Sequence, residues 1–311
     1  MKKRVLVVAL GGNALTPKGS HGDYKELQGN IQRACRSLVP LVKKNYVVVT
    51  HGSGPQIGNL ILQNELTKNR VASLPMDVLD AELQGELGYL LQQSLLNALR
   101  KHNINRPVVS ILTQVLVDRR DPLFMRPTKP IGSFYTKEQA DVFKKQGFHI
   151  VDDAGRGFRK VVPSPKPKAV LEASTIRSLV RAGNIVVAAG GGGIPIYKER
   201  NQLKGIAAVI DKDLASACLA KGIGADTLLI LTDVDYVYLH YHTKQRVSLR
   251  RMTVAEASRY LEEGHFPEGS MGPKIEAAID FLTHHGRKVL ITSLNRISDA
   301  FKGRCGTTIV P

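Results

Sequence analysis

Val5–Asn13 reads VLVVALGGN, six apolar residues that end in a glycine pair and an asparagine. Such a short continuous apolar run suits a strand covered on both faces, as in a parallel sheet flanked by helices. The design recurs along the chain. YVVVTHGSGPQIG (Tyr46–Gly58), IVVAAGGGGIP (Ile185–Pro195) and TLLILTDVDYVY (Thr227–Tyr238) each pass from an apolar run into a glycine-rich or acidic turn. Open parallel sheets bind ligands beyond the carboxyl ends of their strands, so these four turns are expected on one edge. Glycines there let backbone N–H groups approach an anion, and a following helix N-terminus adds partial positive charge. No Gly-Lys dipeptide follows any of the turns, and neither the Walker pattern nor GxGxxG is present. The cations must come from elsewhere in the chain.

β-Branched runs alternate with helical stretches throughout. Strands are expected at Val5–Leu10, Tyr46–Thr50, Val108–Val117, Ile185–Ala189, Gly205–Ile210, Thr227–Thr232, Lys288–Thr292 and Thr307–Val310. Helices are expected near Glu26–Lys43, Val78–Arg100, Leu171–Arg181, Asp213–Lys221, Val254–Glu263 and Ile275–His285. The fold class is therefore α/β: a three-layer α/β/α sandwich with a mainly parallel, open sheet of about eight strands. The proline-rich segment 121–167 breaks the alternation and reads as a small protruding lid of hairpins with one helix, Lys137–Gln146, inserted in a single domain spanning 1–311.

Lys and Arg number 44 against 27 Asp and Glu, a net charge of +17. The basic residues are scattered as pairs, aromatics make up only 5% and Trp is absent, so a nucleic-acid surface is not expected. Part of the charge can draw anionic substrates toward a site. Apolar runs fall far short of a membrane span, and the one at the N-terminus is too short for a signal peptide. Three widely spaced cysteines, Cys35, Cys218 and Cys305, fit no metal or redox pattern. The expectation is a cytoplasmic protein with reduced thiols.

Three lysines stand apart from the surface population because each lies at a turn or helix start, where anions collect. Lys129 is held between prolines in RPTKPIG, Lys212 lies between Asp211 and Asp213 in AVIDKDLASA, and Lys274 follows a Gly-Pro turn in GSMGPKIEAA. His51 lies inside the THGSGP turn, where a positioning role is expected. No serine, histidine and acid arrangement supports covalent catalysis.

ALGGNAL, THGSGPQIGNL, QGELGY, RPTKPIGSFY, AAGGGGIP, AVIDKDLAS, LTDVDYVYL, GSMGPKIEAA and ITSLNRISDA…GTTIVP together resemble, in order and spacing, the carbamate kinases of the amino acid kinase family. The resemblance covers essentially the whole chain. It implies reversible phosphoryl transfer between ATP and carbamate, giving ADP and carbamoyl phosphate, with Mg²⁺ held mainly by nucleotide phosphates rather than by dedicated protein ligands. It implies an eight-stranded sheet, a protruding subdomain and a homodimer. By resemblance, Gly11, Gly12, Asn13, Gly52, Ser53 and Gly54 cradle the transferring group and carbamate. Lys129, Lys212 and Lys274 neutralise phosphates, with Asp213 orienting lysines. Gly190, Gly191, Asp233, Tyr238, Met271, Gly272 and Lys274 lie around the nucleotide. Two departures stand out: the family usually reads THGNGPQ where Ser53 stands, and AMSQGMIGY where this chain has AELQGELGY.

Overall fold

The computed structural model describes residues 3–16, 23–153, 157–241, 243–267 and 269–311. The chain begins β1 (Val5–Leu10), α1 (Gly12–Leu15), α2 (Tyr24–Lys44), β2 (Tyr46–His51), α3 (Gly54–Thr67), α4 (Met76–Arg100), β3 (Val108–Ser110) and β4 (Gln114–Val117). It continues β5 (Lys129–Tyr135), α5 (Lys137–Lys145), β6 (Ile150–Asp152), β7 (Phe158–Val162), β8 (Pro167–Val170), α6 (Ala173–Arg181) and β9 (Ile185–Val187). Next come β10 (Ile194–Glu199), β11 (Gln202–Gly205), α7 (Lys212–Ile223), β12 (Thr227–Thr232), β13 (Val237–Leu239), β14 (Val247–Leu249) and β15 (Arg251–Thr253). The last elements are α8 (Val254–Glu262), α9 (Gly272–Thr283), β16 (Lys288–Ser293), α10 (Ile297–Phe301) and β17 (Thr307–Val310).

Eight strands form the main sheet, in the order β15-β17-β16-β12-β1-β2-β9-β3. Six of them run parallel; β17 is antiparallel to β16, and β15 follows β17. Because successive side chains point to opposite faces, each central strand feeds two cores. Leu6, Val8 and Leu10 of β1 join Leu229 and Leu231 of β12 in one cluster with α2 and α4. Val5 and Val7 join Leu228 and Ile230 in the other, against α6, α7 and α9. That is the expected three-layer sandwich, and it places the ends of β1, β2, β9, β12 and β16 on one edge.

Two expected strands differ from the sequence reading. Val108–Val117 is broken into β3 in the main sheet and β4 in a four-stranded sheet with β8, β10 and β11. At the break Gln84 of α4 clasps Thr113: its Oε1 accepts from Thr113 N at 2.8 Å, which takes that N–H out of the ladder, and its Nε2 donates at 3.2 Å to the Thr113 carbonyl, which also accepts from Ile194 N of β10 at 2.8 Å. Gly205–Ile210 is not a strand beyond Gly205. Ile206 N and Val209 N donate to the carbonyls of Pro195 and Pro163 at 3.1 and 3.0 Å, and proline has no N–H to return. The apolar residues Ala208, Val209 and Ile210 are buried all the same. Helix α3, absent from the sequence reading, opens with Pro55 in its first turn. Within 121–167, β5, β6 and β7 form a separate three-stranded sheet that packs with α5 and α3.

Candidate active site

The first two turns meet the N-terminus of α7. Gly11 follows β1 so closely against β12 that a Cβ there would lie 2.6 Å from the Leu231 carbonyl oxygen, a distance no side chain tolerates. Gly52 follows β2, and a Cβ on it would sit 3.4 Å from Gly12 N and 3.3 Å from Lys212 Cδ. The two glycine turns and the Lys212 side chain thus share one small space. Asn13 lies in α1; its side chain is outside the described atoms.

Lys212 and Asp213 open α7, with Asp211 as its cap. The Asp211 carboxylate accepts from Asp213 N at 2.8 Å and Leu214 N at 3.3 Å, which satisfies N–H groups left over at the helix start. Its other oxygen pairs with Lys129, the first residue of β5. Asp213 is buried and bridges two lysines: one oxygen pairs with Lys212 Nζ, and the other lies 3.2 Å from Lys274 Nζ in the first turn of α9. Lys274 also donates to the Ser270 carbonyl at 2.9 Å. Three lysines from three distant segments therefore face two carboxylates, one positive charge in excess before any substrate enters.

Burial by itself would raise both carboxyls. The ammonium groups of Lys129 and Lys212 outweigh it at Asp211, and those of Lys212 and Lys274 outweigh it at Asp213, so both stay below the ordinary carboxylate range. The two lysines on Asp213 move in opposite directions. Burial dominates at Lys212 and holds it below the usual lysine value despite Asp213. At Lys274 burial also opposes the charge, but Asp213 and Asp211 together more than offset it, and the group is raised.

The Gly190–Gly193 turn backs the β2–α3 loop. A side chain on Gly190 would overlap the His51 ring, and one on Gly191, at φ +69°, would come 2.6 Å from Ser53 Oγ. Only glycine fits this left-handed backbone and close approach. His51 is fully buried, bonds the Gly52 carbonyl through Nδ1 at 3.2 Å, and burial lowers its pKa to about 4. It is neutral and shapes the loop. Ser53 and Gly54 begin α3; the Ser53 hydroxyl is buried without a hydrogen-bond partner in the protein. That orphaned group, next to backbone N–H groups at a helix start, is what a polar ligand would satisfy.

Asp233 follows β12 and adds to the field that favours charged Lys274. Met271 caps α9 and Gly272 opens it, with Pro273 between them and Lys274. Tyr238 stands in β13 within a ring cluster, 6.3 Å from Tyr236 and 5.7 Å from Tyr241 between centroids, with the Arg246 guanidinium 4.9 Å over its face. The cluster brings Lys129, Lys212, Lys274, Asp213, Gly12 and Gly52 together, and Tyr238 belongs to a separate group of contacts. Sequence reasoning left Asp211 without a role, although the Asp-Lys-Asp triplet was its signal: an acid before a helix start both caps it and can hold a cation. Gln84 lies in the QGELGY motif but had no role assigned, and Thr113, which it holds at the site's back wall, carried no signal. Among the described residues, no group of three or more His, Cys, Asp or Glu is placed to hold a metal ion, and no helix is long and apolar enough to cross a membrane.

Lysines and glycine turns gathered at the carboxyl edge of a parallel sheet, with no acid–base pair beside them among the described residues, fit an α/β phosphotransferase. The chain belongs to the amino acid kinase family, whose sequence profile matches residues 4–293. It is 46% identical over 315 residues to the carbamate kinase of Pyrococcus horikoshii, covering 100% of each chain. Its structure is similar to that of Giardia lamblia carbamate kinase bound to citric acid, with a TM-score of 0.95 and 38% identity over 99% of this chain and 98% of the other. The Giardia enzyme bound to AMP-PNP matches with a TM-score of 0.90 at 39% identity, over 99% and 98% of the two chains.

Proposed function

We propose that this protein is a carbamate kinase that transfers a phosphoryl group reversibly between ATP and carbamate. The observation that carries the reading is the double bridge of Asp213 to Lys212 and Lys274 where the Gly11–Gly12 and Gly52 turns converge. A carbamate oxygen is already anionic and attacks phosphorus without a general base, which fits a site whose His51 is buried and neutral. What the reaction requires is that two anions be brought together and the charge on the transferring group be stabilised. Lysine suits this as a compact, movable charge. Gly11, Gly12, Asn13, Gly52, Ser53 and Gly54 receive the acceptor and transferring group on backbone N–H groups and the orphaned Ser53 hydroxyl. Gly190 and Gly191 lie against His51 and Ser53, so we place them behind the acceptor loop rather than around the nucleotide. Asp233, Tyr238, Met271 and Gly272 remain the nucleotide-side residues. Asp211 and Asp213 are already engaged by lysines, which fits Mg²⁺ arriving on the nucleotide phosphates, where it supplies further charge neutralisation. We read 121–167 as a lid that brings Lys129 to the site.

The homodimer reading is supported by the outer edge of the sheet. There α4 and the edge strand β3 frame a groove of about 530 Å³ lined by Tyr89, Gln92, Leu96 and Leu112. Tyr89 and Leu112 are more than half exposed, and Gln84 at the same groove reaches back to Thr113 behind the site. Light scattering of the pure protein checks the mass. For the activity, carbamoyl phosphate and ADP are expected to give ATP, and Lys212→Ala or Lys274→Ala to cut turnover at least about a hundredfold, comparable to losing one transition-state donor. Turnover with acetylglutamate, aspartate or isopentenyl phosphate but none with carbamoyl phosphate would overturn the reading.

A further inference from the structure

The lid strand β5 is irregular at one place. Lys129, Pro130 and Ile131 pair with Val162, Val161 and Lys160 of β7, and pairing resumes only at Tyr135 and Phe158. Residues 132–134 therefore bulge opposite a single residue, Arg159. Its side chain fills the gap. Nε and Nη2 both donate to the Gly132 carbonyl, at 3.1 and 2.9 Å, and Nη1 lies 3.3 Å from the Asp153 carboxylate. The guanidinium also stands 5.1 Å over the Phe134 ring. Arg159 and Asp153 are only 14% and 10% exposed at their side chains, so this is a built contact rather than a surface pair.

The bulge has a second partner. Gly132 takes φ +73° and lies against Gly58 in the second turn of α3, so close that a Cβ on Gly58 would overlap Gly132 N and Cα. The N-terminus of the same helix carries Ser53 and Gly54, and the Pro130 carbonyl lies 3.8 Å from where a Cβ of Gly54 would be. Lys129 is three residues from this contact, at the end of β5 that enters the site.

We propose that Arg159 is a positioning residue for Lys129: by locking the β5 bulge at Gly132 onto α3, it fixes where the Lys129 ammonium stands relative to the acceptor loop. The inference rests on the role assigned to Lys129 above. A planar fork can hold a carbonyl and a carboxylate at once, whereas an ammonium cannot hold both in this geometry. Displacing a group by about 1 Å can cost about a hundredfold in rate.

The test is a double-mutant cycle in ATP formation from carbamoyl phosphate and ADP. Arg159→Lys is expected to lower kcat about ten- to a hundredfold in the wild-type background, and to change kcat little once Lys129→Ala is present. A role confined to holding the lid together would lower kcat by the same factor in both backgrounds, and that result overturns the inference. So does an unchanged kcat for Arg159→Lys alone. Lys129→Ala with wild-type turnover would remove the role of Lys129, and the inference with it. Thermal melts report folding; if Arg159→Lys does not fold, Asp153→Ala, which removes the acceptor of one arm of the fork, takes its place with the same expected non-additivity.

Discussion

Asp213→Asn is the most incisive perturbation of the site, because one buried carboxylate holds two lysines that come from α7 and α9. The asparagine keeps the volume and removes the charge. At 3.2 Å and an effective dielectric near 20, the attraction between Lys274 Nζ and Asp213 is on the order of 5 kcal/mol. Desolvation offsets part of it, so leaving two buried ammonium groups without their partner is expected to destabilise the free protein by about 3 kcal/mol. Lys212 responds most. Burial already depresses its pKa and Asp213 is the leading group that supports its charge. Without that support Lys212 loses its proton at a lower pH than in the wild type. In the role proposed for Lys212 the charged form neutralises phosphate, so the alkaline limb of the pH–rate profile is expected to move toward acid. ATP formation from carbamoyl phosphate and ADP, measured from pH 6 upward, is expected to show kcat/KM reduced at least about a hundredfold at its optimum, the scale of one lost transition-state contact. Bound ADP brings phosphates to the bared lysines and should restore part of the lost stability in thermal melts. A variant with wild-type kcat/KM and an unshifted alkaline limb would refute the reasoning, because Asp213 would then neither organise the lysines nor support the charge of Lys212.

Three further outcomes follow from the packing and the buried groups. Gly58→Ala drives a methyl into the backbone of Gly132 and within 2.9 Å of the Ile131 carbonyl carbon, and should cost about 1–3 kcal/mol as an overpacked contact. Gly29→Ala, in the interior of α2 with nothing within 4 Å of its Cβ, should stabilise by roughly 0.5–1 kcal/mol in the same denaturant titrations. His51 takes up a proton near pH 6.5 when unfolded and near 4 when folded, so its contribution to stability falls as the pH drops through that window, by about 3 kcal/mol at pH 4. Asp80 acts in the opposite sense, since burial raises its carboxyl and the native state binds its proton more tightly. Comparing His51→Gln with the wild type cancels Asp80, and the variant should lose less stability between pH 7 and pH 4.5.

The main sheet was legible because its central strands are buried on both faces: a six-residue apolar run such as Val5–Leu10 or Thr227–Thr232 has few other stable settings. The glycine turns were legible for a related reason, since backbone that approaches another strand as closely as Gly11 approaches Leu231 excludes every side chain. The three site lysines were visible too, through their placement at turns and helix starts. Other features depend on partners the sequence does not bring together. Thr113 leaves the main sheet because Gln84, on another element, takes its N–H, while its carbonyl turns to Ile194 N of β10. Val209 runs apolar and buried yet pairs with a proline carbonyl, so no ladder forms.

The opposite shifts of Lys212 and Lys274 have no local signal at all. Both lysines stand in the first turn of a helix, and the balance of burial against the carboxylates around each separates them. The sequence by itself determined the layers and the turns, because these follow from short-range sterics and hydrophobic period, and it singled out three lysines at turns and helix starts as candidate cations. The tertiary structure decided which cations meet, which carboxylates hold them and which glycine turn backs which loop. Those depend on Coulomb and van der Waals terms that act only across segments the fold has already assembled.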